Sequence, residues 1–97
     1  MIQKEAKSVI IVGGGIAGVS TAYFLKKLQA DLDVKIVERT AIAASAGGKG
    51  GGFLAKNWSQ GPANTLQVQG FNMHAQMAQE LGIQSYRMIK TLQLDVE

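Results

Sequence analysis

Three glycines near the start of the sequence have the spacing G-x-G-x-x-G, at Gly13, Gly15 and Gly18. The pattern is informative where it joins a buried strand to an amphipathic helix. There the first glycine permits a tight turn, the second lets a pyrophosphate approach the backbone, and the third lets the helix pack close to the strand. The first helical amides, including those of Ile16 and Ala17, then face the phosphates at the positive end of the helix dipole. The motif therefore predicts a dinucleotide phosphate site.

A carboxylate follows the motif at the distance that a dinucleotide-binding unit requires. Glu38 lies 20 residues after Gly18, at the end of a second apolar run. A carboxylate at this place accepts hydrogen bonds from the hydroxyls of an adenosine ribose and repels a 2′-phosphate, which disfavours NADP. The alternative is that the glycines only make a tight turn and that Glu38 opens a solvated loop.

The surrounding pattern supplies the elements that must position these residues. Residues 8–12 are a mostly β-branched apolar run, typical of a strand that is covered on both faces in a parallel sheet. Residues 16–29 change to a helical period, and residues 34–38, Val-Lys-Ile-Val-Glu, have the composition of a second short strand. Strand, helix and strand within about 30 residues predict a right-handed βαβ unit.

A second glycine cluster follows the predicted second strand. Five of the six residues 47–52 are glycine, and we expect the entropy cost to prevent a helix or strand there. The alanine-rich residues 40–46 have the composition of a helical turn. Exposed backbone amides in a glycine-rich segment bind anions or the polar edge of a heterocycle. A Walker A loop is excluded because Gly50, rather than serine or threonine, follows Lys49. A flexible surface loop is the alternative.

The rest of the chain predicts one long helix and weaker strands. Asn64 has the side chain of an N-cap, apolar residues recur along the stretch up to Leu81, and Gly82 lies where a C′ glycine ends a helix. The alternation of residues 85–97 predicts one or two strands.

The glycine motif within residues 9–18 is followed by Val37-Glu38-Arg39 and then by a Ser/Gly-rich segment. This order of features resembles the FAD-dependent oxidoreductases of the D-amino-acid oxidase and glycine/sarcosine oxidase family. The resemblance implies an α/β fold, with residues 1–97 as the N-terminal βαβ portion of a Rossmann-like FAD-binding domain that is incomplete in this chain. The motif and the resemblance together predict FAD contacts at Gly13, Gly15, Ile16, Ala17, Gly18, Glu38, Arg39, Ser45, Lys49, Gly50 and Gly51.

The resemblance further implies a flavin-dependent oxidoreductase that transfers hydride from a small-molecule amine or amino acid to FAD. Family members have roughly 350–450 residues, or two to three domain equivalents. The substrate-binding arginine and active-site tyrosine of the family come from later sequence, so no catalytic residue is predicted, and we expect the piece alone to be inactive. Two alternatives stay open: a non-catalytic or truncated nucleotide-binding module, and a fragment of an NAD-dependent dehydrogenase.

The composition excludes several other classes of site. The absence of cysteine removes disulfides, thiolate zinc sites and iron–sulfur clusters, and the single histidine, His74, has no second metal ligand at a suitable spacing. The net charge of +3 is not gathered into the basic stripe that nucleic-acid binding requires. The uncharged run from Ser8 to Leu25 is interrupted by glycines and is too short to span a membrane. We therefore expect no signal peptide, no membrane span and a cytoplasmic location, and the sequence leaves the oligomeric state open.

Overall fold

The computed structural model describes residues 7–58 and 60–97. In chain order the elements are β1 (Ser8–Val12), α1 (Ile16–Leu28), β2 (Asp33–Val37), α2 (Ala46–Lys49) and α3 (Asn64–Leu81). They fall into two compact units that divide between Gly52 and Phe53. The first unit contains β1, α1, β2 and α2, and the second contains α3.

The first unit contains the predicted βαβ arrangement. β1 and β2 pair in parallel, with Ser8 opposite Asp33 and Val12 opposite Val37. The β-branched residues of both strands suit the pleated sheet, and α1 provides the crossover that parallel strands need. The α/β fold class is confirmed. β2 ends one residue earlier than predicted, so Glu38 is the first residue beyond the strand.

The two faces of this small sheet differ in burial. Burial alternates along both strands, and the partly buried set includes Ile11, which lies against α1 at Gly18. Leu32, just before β2, is the most enclosed apolar residue of the unit at 3% exposure. The opposite face was also predicted to be covered, but Ile10 and Val12 are 65% and 86% exposed. Within the described residues, only the α1 face of the sheet is therefore packed.

Helix α3 ends as the sequence predicts. Gly82 has φ +65°, the left-handed conformation that glycine adopts without a Cβ penalty. Its N–H donates to the carbonyl of Gln79 at 3.3 Å, and the N–H of Ile83 donates to the carbonyl of Ala78 at 2.9 Å. These two bonds form a Schellman motif, which satisfies the last carbonyls of the helix.

The start of α3 differs by one residue from the prediction. Ala63, rather than Asn64, is the N-cap, and the Ala63 carbonyl accepts the bond from the N–H of Gln67 at 3.0 Å. Asn64 already lies within the first turn because its own N–H donates to the carbonyl of Gly61 at 3.0 Å. The turn before the helix thus replaces the side-chain cap that the sequence suggested.

The predicted strands over residues 85–97 are wrong, since these residues contain no strand in the structure. Leu92, Leu94 and Val96 are 80%, 75% and 92% exposed. Alternating residues form a strand only where a neighbouring strand supplies hydrogen bonds and a packed face. The local pattern could not show whether that neighbour exists.

The segment between β2 and the second unit also departs from the prediction. Residues 40–46 form a turn at Ile42 and Ala43 rather than a helical turn, and Ala43 has φ +59°. The helical turn lies further along, at Ala46–Lys49, although it contains two glycines. Over the described ranges, no helix combines the length and the apolar character of a membrane span.

A matched pair of glycine substitutions tests the description of α3. Gly82→Ala should lower the free energy of unfolding by about 1 kcal/mol, because alanine is strained in the left-handed region. Gly70→Ala, within α3, should raise it by about 0.5–1 kcal/mol, because a Cβ there meets no atom within 4 Å and alanine favours a helix. Thermal unfolding of the full-length protein measures both. Equal effects of the two substitutions would contradict the assigned helix end.

The exposed apolar face of the sheet should limit the stability of the isolated chain. We expect the 97-residue chain on its own to be marginally stable, because a two-stranded sheet with one bare apolar face buries too little surface. Circular dichroism should show a broad thermal transition with low cooperativity. A sharp cooperative transition of the isolated chain would contradict this expectation.

Candidate functional site

The turn after β1 begins with a glycine that the backbone requires. Gly13 has φ +108°, outside the range that residues with a Cβ normally adopt. Its N–H donates to the carbonyl of Val37 at 2.8 Å. This bond joins the end of β1 to the end of β2, so the loop between β1 and α1 begins at a fixed place beside Glu38.

Helix α1 begins at an open backbone surface. Gly15 is the N-cap, and its carbonyl accepts the first helical bond from the N–H of Val19 at 3.0 Å. A Cβ at Gly15 would meet no protein atom within 4 Å. No described side chain caps the helix, and its first turn contains no acidic residue. The N–H groups of Ile16 and Ala17 therefore lack intrahelical acceptors and lie at the positive end of the helix dipole.

Close packing between α1 and β1 explains the third glycine of the motif. A Cβ at Gly18 would collide with the backbone carbonyl of Gly13 and would lie 3.3 Å from Cγ2 of Ile11. Any side chain at this position would therefore push the start of α1 away from the strand. Gly18 fixes the distance of the helix from the sheet, and with it the position of the open amides.

The Glu38 carboxylate turns back toward the glycine loop, which comprises residues 13–15 between β1 and α1. Oε1 accepts a hydrogen bond from the N–H of Gly14 at 3.1 Å, and Oε2 accepts one from the N–H of Thr40 at 2.7 Å. The Thr40 and Gly14 bonds lower the pKa of Glu38 below its ordinary value of 4.5, and the backbone N–H of Arg39 adds to this, although desolvation opposes it. Glu38 is therefore charged at neutral pH. Since each oxygen accepts more than one bond, both oxygens retain capacity for a ligand hydroxyl.

Gly14, which sequence reasoning passed over as a variable position of the motif, is a buried residue of the site. A Cβ at Gly14 would lie 2.6 Å from Cδ1 of Ile42 and 3.0 Å from Cγ of Glu38. The Gly14 carbonyl accepts a hydrogen bond from the N–H of Ala43 at 2.9 Å. These contacts join residues 24 to 29 positions apart, so the only local signal was that Gly14 stands in a run of three consecutive glycines.

The second glycine cluster comes close to the start of α1. A Cβ at Gly47 would lie 3.6 Å from the backbone nitrogen of Ile16 and 3.9 Å from Cα of Gly15. A Cβ at Gly48 would collide with the carbonyl of Ala43. The short helix α2 thus packs closely against the turn at Ala43 and lies beside the glycine loop.

The remaining predicted contacts lie on the surface of the same unit. Arg39, Ser45, Lys49, Gly50 and Gly51 are all exposed. Arg39 directly follows Glu38, Lys49 is the last residue of α2, and Ser45, Gly50 and Gly51 lie at the two ends of that helix. The structure therefore places Gly47 of α2 close to the glycine motif, whereas these five residues are exposed to solvent.

The single histidine of the sequence lies in the second unit. His74 is exposed on α3, and its Nδ1 lies 2.7 Å from the carbonyl of Gly70. Within residues 7–58 and 60–97, no three histidine, aspartate or glutamate side chains form a group that could hold a metal ion.

The arrangement fits a dinucleotide on two independent grounds. Open amides at the positive end of α1 match a pyrophosphate, and the absence of a Cβ at Gly15 leaves room for its approach. The charged carboxylate of Glu38, fixed beside the loop, matches a ribose hydroxyl pair.

Comparisons with known proteins agree with this geometry. Residues 8–97 match the family described as FAD dependent oxidoreductase. A Schizosaccharomyces pombe protein named "Putative oxidoreductase" is 34% identical over 80 residues, which cover 78% of this chain and 21% of that protein. A Saccharomyces cerevisiae protein with the same description is 33% identical over 98 aligned positions, covering 94% of this chain and 18% of that protein.

A third relative has a named substrate. The sarcosine oxidase subunit beta of Rhodobacter capsulatus is 27% identical over 78 residues, covering 80% of this chain and 19% of that subunit. The chain spans about a fifth of the length of these curated relatives. No solved structure matches it. The family match covers nearly the whole chain and agrees with the open helix end and the fixed carboxylate: the chain belongs to the FAD-dependent oxidoreductases, and its cofactor is FAD.

Proposed function

We propose that this chain forms the adenosine and pyrophosphate part of the FAD site in an oxidoreductase that acts on an amine or amino acid. The observation that carries the FAD site is the open start of α1 beside the fixed carboxylate of Glu38. The similarity to a sarcosine oxidase subunit supports the substrate class. The fold itself does not require glycine at position 15, because its φ is −79° and a Cβ there would meet no protein atom within 4 Å. An approaching pyrophosphate does require it, which favours this proposal over a turn with no ligand.

Each group in the site has a defined part in binding. The N–H groups of Ile16 and Ala17 donate to pyrophosphate oxygens, and Gly15 keeps that surface free of side chains. The carboxylate of Glu38 accepts the ribose hydroxyls while it holds the loop. When bound, FAD supplies the capacity to accept hydride, and the protein supplies binding and orientation.

The exposed groups around α2 extend the proposed site. Gly47 lies close to the start of α1, so the neighbouring backbone at Gly50 and Gly51 is within the same region of the unit. We assign Ser45, Lys49, Gly50 and Gly51 to the cofactor as one segment, with Arg39 beside the adenosine. The positive charge of Lys49 would attract the negative charge of a pyrophosphate.

Glu38→Gln tests the ribose contact. The amide side chain preserves the shape but replaces one acceptor oxygen and removes the charge, so we expect FAD affinity to fall by about tenfold to a hundredfold. Titration of the full-length apo-protein with FAD measures the change. Asp33→Asn is the matched control, because it removes a carboxylate from the other end of β2. Unchanged affinity in Glu38→Gln would exclude the ribose contact.

Replacing Gly50 and Gly51 with valine tests the α2 segment. Gly50 has φ −64° and ψ 155°, a conformation that valine adopts without strain, and Gly51 is not among the glycines with a positive φ. We therefore expect the apo-protein to fold normally and to retain much less flavin, measured as flavin absorbance per protein. Gly61→Val, at an open position of the second unit, is the control. Full flavin occupancy in the double variant would show that the segment is only a surface loop.

A further inference from the structure

Gly14 is held from three sides by the segment that follows β2. Its N–H donates to Oε1 of Glu38, and its carbonyl accepts from the N–H of Ala43 at 2.9 Å. Cδ1 of Ile42 occupies the space in front of its Cα, where a Cβ would lie only 2.6 Å away. The peptide groups on both sides of Gly14 are thus bonded to residues 38–43, and Ala43 is held in the left-handed region to make its bond.

The two side chains that lie next to Gly14, those of Ile42 and Glu38, differ in how readily they can move away from a Cβ at position 14. Ile42 is 56% exposed, so the tip of its side chain is free to rotate away from an added methyl group. Glu38 is fixed, because its two oxygens accept bonds from Gly14 and Thr40. A Cβ at position 14 would lie 3.0 Å from Cγ and 3.3 Å from Cβ of Glu38. The strain therefore falls on Glu38.

We propose that Gly14 is a positioning residue of the FAD site, which acts through Glu38: its lack of a side chain lets the carboxylate reach the loop and hold it ready before FAD arrives. In this arrangement the same carboxylate orders the glycine loop and receives the ribose. The effect on FAD affinity rests on the function proposed above, whereas the order of the loop in the apo-protein does not.

The glycine next along the chain provides the comparison. A Cβ at Gly15 would meet no protein atom within 4 Å, whereas one at Gly14 would press on Glu38. Neither glycine has a positive φ, so alanine is free of backbone strain at both positions. Gly15→Ala therefore obstructs only the cofactor, while Gly14→Ala disturbs the loop itself.

A double-mutant cycle in the full-length protein tests the proposal. FAD titration compares Gly14→Ala, Gly15→Ala and Glu38→Gln with the two double variants that combine each glycine change with Glu38→Gln. We expect Gly14→Ala to weaken binding by about tenfold. Added to Glu38→Gln, it should cost no more than about threefold, because the group it disturbs is already altered. The effects of Gly15→Ala and Glu38→Gln should multiply.

Hydrogen exchange in the apo-protein provides a readout that needs no cofactor. The amide at position 14 should exchange at least about tenfold faster in Gly14→Ala than in the wild type, and at the wild-type rate in Gly15→Ala. Normal protection in Gly14→Ala, or multiplying effects of Gly14→Ala and Glu38→Gln on FAD affinity, would overturn the proposal. Unchanged FAD affinity in both Gly15→Ala and Glu38→Gln would instead overturn the proposed function, and the exchange rates would still decide on Gly14.

Discussion

The hydrogen bonds between the Glu38 carboxylate and the amides of Gly14 and Thr40 hold the candidate site together. They place a negative charge at the end of β2 and connect it to the loop that leads into α1. The bond from the Gly13 N–H to the Val37 carbonyl fixes the same two strand ends from the backbone side. The open helix end and the Glu38 carboxylate therefore have fixed relative positions before any ligand binds.

The glycines of the motif meet this constraint in different ways. Gly13 supplies a backbone conformation, Gly14 a close approach to Glu38, and Gly18 a close approach of α1 to the carbonyl of Gly13. Gly15 faces open space, where only a ligand would meet its backbone. Three of the four glycines of this segment thus meet requirements of folding, and Gly15 leaves the room that the proposed cofactor site uses.

Local sequence was sufficient for the elements whose signals are local. The apolar runs, the glycine turn and Glu38 predicted the βαβ unit, and Gly82 predicted the end of α3 because a left-handed C′ residue is a local requirement. The short helix α2 and the turn at Ala43 were not predictable, because they depend on contacts with Gly14 and the start of α1. The prediction of strands over residues 85–97 was wrong for the same reason, since a strand requires a partner that is distant in the sequence.

Amide hydrogen exchange of the full-length protein, with and without FAD, tests the central claim of a site that is ordered before its cofactor binds. We expect the Gly14 amide to be protected in both states, because Glu38 accepts its hydrogen bond in the apo-protein. The amides of Ile16 and Ala17 should exchange freely in the apo-protein and become protected when FAD is added. A Gly14 amide that is protected only with FAD, or helix-end amides that FAD leaves unprotected, would contradict the account.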